Sequence, residues 1–282
     1  MPTAHVNGVR LYYEVTGNGF PLVFIHEFAG DYRSWEPQVR FFSRRYRVVV
    51  YNCRGYPPSD VPATPESYSE LILVEDLCQL LTFLGIRETH IVGLSMGGGV
   101  ALNFALEHPD RCASLVIASA GSGSTNVDQF RRDGMALVER LEKGGIAAVE
   151  EHFVLSPART TFREKDPRGW EESRRQFSDH SALGSALTFR KVQLERKTIF
   201  ELEGGLRQLH TPTLLFIGDR DDACLEPAIF MRRCIPGAGL VVLPWSGHAV
   251  NLEEPDTFNR IVLDFLTASQ DIGGTSKTKE QA

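Results

Sequence analysis

The 282-residue chain lacks any paired-cysteine pattern. Its five cysteines (Cys53, Cys78, Cys112, Cys224 and Cys234) are odd in number, widely spaced and without a CxxC. That excludes a disulfide framework and a zinc cluster, and it points to a reducing, cytoplasmic compartment. Excess positive charge is also missing: 30 Lys+Arg against 36 Asp+Glu leave a net −6 at pH 7. Nothing in that balance offers an electrostatic footprint to nucleic acid or an anionic membrane, so the expected partner is a small molecule. No apolar run approaches about 18 residues, and the opening MPTAHVNGVRLYYEV holds no apolar targeting core. Neither a membrane span nor an export signal is therefore expected. Internal repeats of about 20–50 residues are absent as well. What is present, 42% hydrophobic and 23% charged residues, is ordinary globular composition. A chain this long can bury roughly 75% of the surface its unfolded form exposes and needs no covalent staple.

The pattern along the chain alternates strand and helix. Residues 3–6 and 10–16 read as strands joined at Asn7-Gly8, the strongest short hairpin signal. Continuous apolar runs at 21–25, 46–51, 90–92, 113–118, 213–217 and 240–243 have the character of strands buried on both faces. Between them, helical patterning appears at 34–43, 68–84, 96–107, 226–234 and 255–267. This alternation predicts an α/β fold, a mostly parallel sheet covered by helices on both sides. Residues 121–205 break the rhythm: they contain no buried-strand run, read as amphipathic helices, and balance 14 basic against 14 acidic residues. Because the sheet pattern resumes afterwards, they are expected to be a helical insertion, leaving 1–120 and 206–268 as the core. The polar stretch 269–282 (SQDIGGTSKTKEQA) is expected to be a flexible tail.

Three pieces carry chemistry. Gly93-Leu94-Ser95-Met96-Gly97 is a G-x-S-x-G placed where a strand meets a helix. A serine at such a turn is held in strained backbone with its Oγ exposed, and the following helix N-terminus supplies N–H groups where an oxyanion develops. Gly247-His248 lies in a loop after the last strand, from which a general base could reach a nucleophile at the same sheet edge. The seven other histidines have no such placement. Gly218-Asp219-Arg220-Asp221-Asp222 follows a buried strand and offers an acid to orient that histidine. By position alone Asp219, Asp221 and Asp222 all remain open. A metal loop is disfavoured because no partner ligand lies at suitable spacing, and no cofactor or metal is expected.

The stretches IHEFAGDYRSW, NCRGYPPSD, VGLSMGG, IGDRDD and WSGHAVNLEEP together resemble the α/β-hydrolase fold superfamily, over about residues 3–268. The resemblance implies an eight-stranded sheet with a helical cap, here 121–205, inserted after the sixth strand. It implies Ser95 as nucleophile, His248 as base and, by the family's G-x-x-D pattern, Asp221 as the acid. It also implies an oxyanion hole made by the backbone N–H groups of Phe28 and Met96, with Glu27 and Trp245 beside the substrate pocket. The implied activity is hydrolysis of a small carboxylic ester or lactone. A carbon–carbon bond hydrolase, a cofactor-free perhydrolase and a non-enzymatic ligand receptor are the alternatives on this scaffold. Two departures stand out. Glu27 occupies a position that is usually glycine, and an unpaired anion within about 4–6 Å of a developing oxyanion opposes it. Arg54 is the expected partner for Glu27, ahead of Arg33. Cys53 replaces a position that borders the pocket in relatives and is expected to be a buried structural thiol.

Overall fold

The computed structural model describes residues 2–154 and 157–279, apart from the side chains of 151–158 and 270–279. Strands β1 (Thr3–Val6) and β2 (Val9–Thr16) form the expected hairpin, with Asn7 and Gly8 at φ 45° and 76°. Two consecutive positive φ values are what a type I′ turn requires. The sheet continues with β3 (Pro21–Ile25), β4 (Arg47–Tyr51), β5 (Thr89–Leu94), β6 (Cys112–Ala118), β7 (Thr213–Gly218) and β8 (Gly239–Leu243). The spatial order is β1-β2-β4-β3-β5-β6-β7-β8, antiparallel in its first two pairings and parallel thereafter.

The two-residue period of the strands divides the core between the faces. Leu22 and Phe24 of β3, Val92 of β5, Val116 of β6 and Phe216 of β7 point to one side, where they meet Trp35, Phe42 and Phe258. That side is covered by α1 (Glu36–Phe42) and α12 (Pro255–Lys279). Val23, Ile25, Ile91, Leu115, Ile117 and Leu215 point to the other, against α2 (Glu70–Phe83), α3 (Met96–Glu107) and α10 (Asp222–Cys234). Burial on both faces is why these strands are apolar runs rather than alternating patterns.

Between β6 and β7 the described residues form no strand. They fold into α4 (Val127–Gly144), α5 (Ala147–Val154), α6 (Pro157–Lys165), α7 (Pro167–Ser178), α8 (Ala182–Thr188) and α9 (Glu203–Gln208). A one-turn helix that the sequence pattern does not show, α11 (Val250–Glu253), follows the last strand. The terminal helix also runs further than expected: α12 continues through most of the stretch read as a tail, since extending a formed helix costs far less than starting one. Residues 280–282 of that stretch lie outside the described residues.

Candidate active site

The site is built at the carboxyl ends of the parallel strands. Strand β5 turns sharply into α3 at Ser95, which takes φ 54° and ψ −110°. A non-glycine residue in this region is strained, and the strain is held by the surroundings. The Ser95 N–H donates to the Ala118 carbonyl at 2.8 Å, and its carbonyl accepts from Gly99 N at 3.1 Å. Small neighbours are compulsory here: a Cβ at Gly93 would lie 2.1 Å from the Gly97 carbonyl oxygen, and one at Gly97 would lie 2.1 Å from that of Ile25.

Asp221 follows β7 and is 1% exposed, and His248 follows β8. His248 Nδ1 lies 2.7 Å from Asp221 Oδ2. A carboxylate only accepts, so Nδ1 carries the proton and Nε2 presents its lone pair. Burial pulls the His248 pKa down, but the charge of Asp221 and the hydrogen bond to it outweigh burial. Arg159 subtracts and Glu27 adds, and the net result lies above the ordinary histidine value. Asp219 is exposed and accepts from Ser246 N at 3.2 Å instead, and Asp222 is exposed as the first residue of α10. Of the three aspartates, only Asp221 is bonded to the imidazole.

The loop carrying His248 is clamped by Glu253, 6% exposed, whose two oxygens accept the N–H groups of Gly247 (2.8 Å) and Ala249 (3.2 Å). Glu253 belongs to the WSGHAVNLEEP stretch, and the one-turn helix α11 aims it back at the loop.

The loop after β3 is oriented with similar care. His26 accepts from Cys53 N at Nε2 (3.0 Å), so its protonated Nδ1 donates to the Glu27 carbonyl (2.8 Å). Burial lowers the His26 pKa, which keeps the ring neutral. In a trans peptide the N–H of Phe28 points opposite to the Glu27 carbonyl, hence away from His26. The Tyr56 hydroxyl then holds the Phe28 carbonyl at 2.9 Å. Met96, the first residue of α3, contributes one of the N–H groups that a helix leaves without an internal partner.

Ser95, His248, Phe28 and Glu27 all line one cavity of about 250 Å³. Its apolar wall is Phe28, Phe130 and Leu137 with Phe189, the rings of Phe28 and Phe189 meeting edge to face at 4.9 Å. A larger cleft of about 1090 Å³ between α2, α3 and α9 contains none of these groups. Of the cap's aromatic side chains, Phe130 and Phe189 reach the cavity. Phe162 and Phe177 are buried elsewhere, Phe200 packs on Phe230 at 4.9 Å, and the Phe153 side chain lies outside the described residues. Truncating Phe189 to alanine is expected to shift the preferred acyl chain towards longer substrates, by about 10-fold or more in relative kcat/KM. Phe200→Ala should leave the chain-length profile in place, and an unshifted profile for Phe189→Ala would remove Phe189 from the pocket's selecting wall.

Two expectations need correction. Trp245 does not line the cavity: it sits at φ 58°, is 66% exposed, and lies under the Arg220 guanidinium 4.7 Å from its ring. Arg54 does not meet Glu27; it turns to buried Asp76 on α2 with contacts of 2.6 and 2.7 Å, satisfying a carboxylate that has no access to water. Arg33 is taken by Asp31 and Asp179. The partner of Glu27 is Arg159 of α6, at 3.5 Å. Neither Arg159 nor Phe130 carries a sequence signal, because which face of a cap helix looks inward is set by packing. Cys53 is 1% exposed and its thiol is pushed up to about 12, chiefly by burial, consistent with an inert structural cysteine. Asp221, Cys224 and His248 place donor atoms within 4.8 Å of one another. However, Asp221 and His248 are committed to each other, and burial holds the Cys224 thiol protonated.

A strained serine after a central strand, an acid–histidine pair after the last two strands and a helical cap define a class of hydrolase scaffold. A family model described as alpha/beta hydrolase fold matches residues 21–255, and the chain belongs to that family. It is a hydrolase. It is 30% identical over 266 residues to the protein of Stutzerimonas stutzeri named "Putative carbamate hydrolase RutD", covering 91% of this chain and 96% of that one. Among solved structures it is similar to the enol-lactonase from Burkholderia xenovorans LB400 (TM-score 0.83, 27% identity, 94% of this chain and 100% of that one). It is equally similar to a thermophilic esterase from Thermogutta terrifontis (TM-score 0.83, 27% identity, 95% and 98%). Among the described residues, no helix is long and apolar enough to cross a membrane.

Proposed function

We propose that the protein hydrolyses a small carboxylic ester or lactone through an acyl-enzyme formed on Ser95, with residues 121–205 as the cap that shapes the substrate pocket. The observation that carries this reading is the Asp221–His248 pair at 2.7 Å, opening into the cavity that also holds Ser95. Ser95 Oγ attacks the carbonyl carbon while His248 Nε2 takes its proton. The N–H groups of Met96 and Phe28 receive the oxyanion. Collapse of the tetrahedral species expels the alkoxide, which takes the proton back from His248; in a lactone the leaving oxygen stays tethered. Water, activated by the same imidazole, then releases the acid and restores Ser95. The apolar cavity of about 250 Å³ suits a compact acyl group, and the enol-lactonase and esterase among similar structures support the substrate class.

A stopped-flow test with p-nitrophenyl butyrate should give a burst of one p-nitrophenol per active site, the acyl-enzyme, followed by steady turnover. A panel of small lactones should be opened by the same protein. Absence of turnover on both panels would overturn the reading in favour of a ligand receptor or another bond type.

The pH dependence has a defined sign. Protonated His248 cannot accept from Ser95, so activity falls as pH drops through its pKa. Since that pKa is raised, the acid limb of kcat/KM should be centred above pH 6.5. A limb centred below that value would contradict the dominance of Asp221 over burial.

A further inference from the structure

Glu27 is a buried carboxylate, 2% exposed, one residue before the Phe28 N–H that the mechanism uses. Its side chain folds back over Gly30, where a Cβ would lie 2.3 Å from Oε1, and it lines the cavity with Ser95 and His248. Its other contacts do little to neutralise it. The Ser34 hydroxyl reaches Oε2 at 3.2 Å but has a single proton, and the Asp31 carbonyl sits closer at 2.6 Å. Among the described residues, Arg159 is the one cation paired with Glu27. That arginine belongs to α6 of the cap, its side chain is 11% exposed, and it contacts the same cavity.

We propose that Arg159 is a positioning residue for the hydrolysis: by pairing with Glu27 it cancels a negative charge beside the oxyanion donors, so the hole is competent only while the cap helix is seated on the core. The inference rests on Ser95 acting as the nucleophile. A bare Glu27 carboxylate would repel the oxyanion that forms during acylation, and because that carboxylate is buried the repulsion is weakly screened. The ground-state ester carries no such charge. Loss of Arg159 therefore acts on kcat rather than on KM. The pair sits between two pieces of chain 132 positions apart, so binding that lifts α6 away also switches the hole off. The charged groups facing His248 are Asp221 from the β7–α10 loop, Glu27 from the loop after β3 and Arg159 from α6, with the neutral Cys224 thiol of α10 nearby. Glu27 and Arg159 act on the imidazole with opposite signs, which provides a second readout.

The test uses the full-length protein and p-nitrophenyl butyrate. Arg159→Met is expected to lower kcat about 10²-fold, the size of losing one oxyanion donor, with KM little changed. The double variant Arg159→Met with Glu27→Gln removes the stranded charge and should recover kcat to within about tenfold of wild type. Arg159→Lys, which keeps a cation, should recover most of the loss. The acid limb should move up in Arg159→Met, down in Glu27→Gln, and lie between them in the double variant. If the double variant is as slow as Arg159→Met, Arg159 is merely a packing residue and the proposal falls. It also falls if Arg159→Met retains wild-type kcat. A misfolded Arg159→Met, seen as a lost thermal transition, shifts the decision to the lysine and double variants, which carry no uncompensated buried charge. Wild-type protein that fails to acylate Ser95 overturns the hydrolase reading beneath; normal wild-type acylation with unaffected variants overturns this inference alone.

Discussion

Ser95→Ala is expected to reduce turnover of p-nitrophenyl esters by about 10⁴–10⁶-fold and to abolish labelling by a fluorophosphonate probe. On the proposed mechanism the size follows from what is removed, the oxygen that would form the covalent bond, held on a strained backbone. The two N–H donors and the cavity remain in that variant, which is why a residual rate above solution chemistry should persist. Thermal stability should hold or rise, since Oγ is not part of the turn's backbone hydrogen bonds, which Ser95 donates to the Ala118 carbonyl and accepts from the Gly99 N–H. Active-site titration with the probe, read by intact mass, decides the matter. Full labelling of the alanine variant would place the nucleophile elsewhere.

Asp221→Asn should be the second largest loss, about 10⁴-fold in kcat. An asparagine amide can donate to His248 Nδ1, which moves the ring proton to Nε2 and leaves nothing to accept from Ser95. Burial of the imidazole would then act without the carboxylate that opposes it, so any residual activity should show its acid limb at lower pH than wild type. Asp219→Asn is the control. Asp219 is exposed and its bond to Ser246 N can be kept by an amide oxygen, so only a small effect is expected. If Asp219→Asn proved the more damaging change, the acid would have been misassigned.

The positions of these two residues are legible in the sequence for a reason that is local. Ser95 needs a strand before it, a helix after it and glycines around it, and all three are written within a dozen positions. Asp221 and His248 each follow an apolar strand by a short loop, so their arrival at the carboxyl edge of the sheet follows from parallel topology alone. Choosing Asp221 over its neighbours took the family pattern; the structure brings Asp221 to the imidazole and leaves Asp219 and Asp222 exposed. The same local logic failed for Trp245. It stands three residues before His248 in WSGHAVNLEEP, yet a positive φ at the turn sends it to the surface under Arg220.

The amino-acid sequence by itself determined the strand order in time, the two-faced burial of the sheet, the Asn7-Gly8 hairpin, the strained elbow and the succession Ser95, Asp221, His248. Each of these depends on periodicity, turn chemistry or steric bulk among near neighbours, which a linear reading can follow. Only the tertiary structure decided which charges meet. Arg54 went to Asp76 rather than Glu27, Arg159 crossed from the cap to Glu27, and Glu253 folded back onto the His248 loop. A buried charge takes whichever opposite charge the packed elements deliver to it, because leaving it unpaired costs several kcal/mol and sequence separation is irrelevant to that cost. The inward faces of the cap helices were decided in the same way, since an amphipathic helix of balanced charge records that it has an apolar side but not what that side will touch.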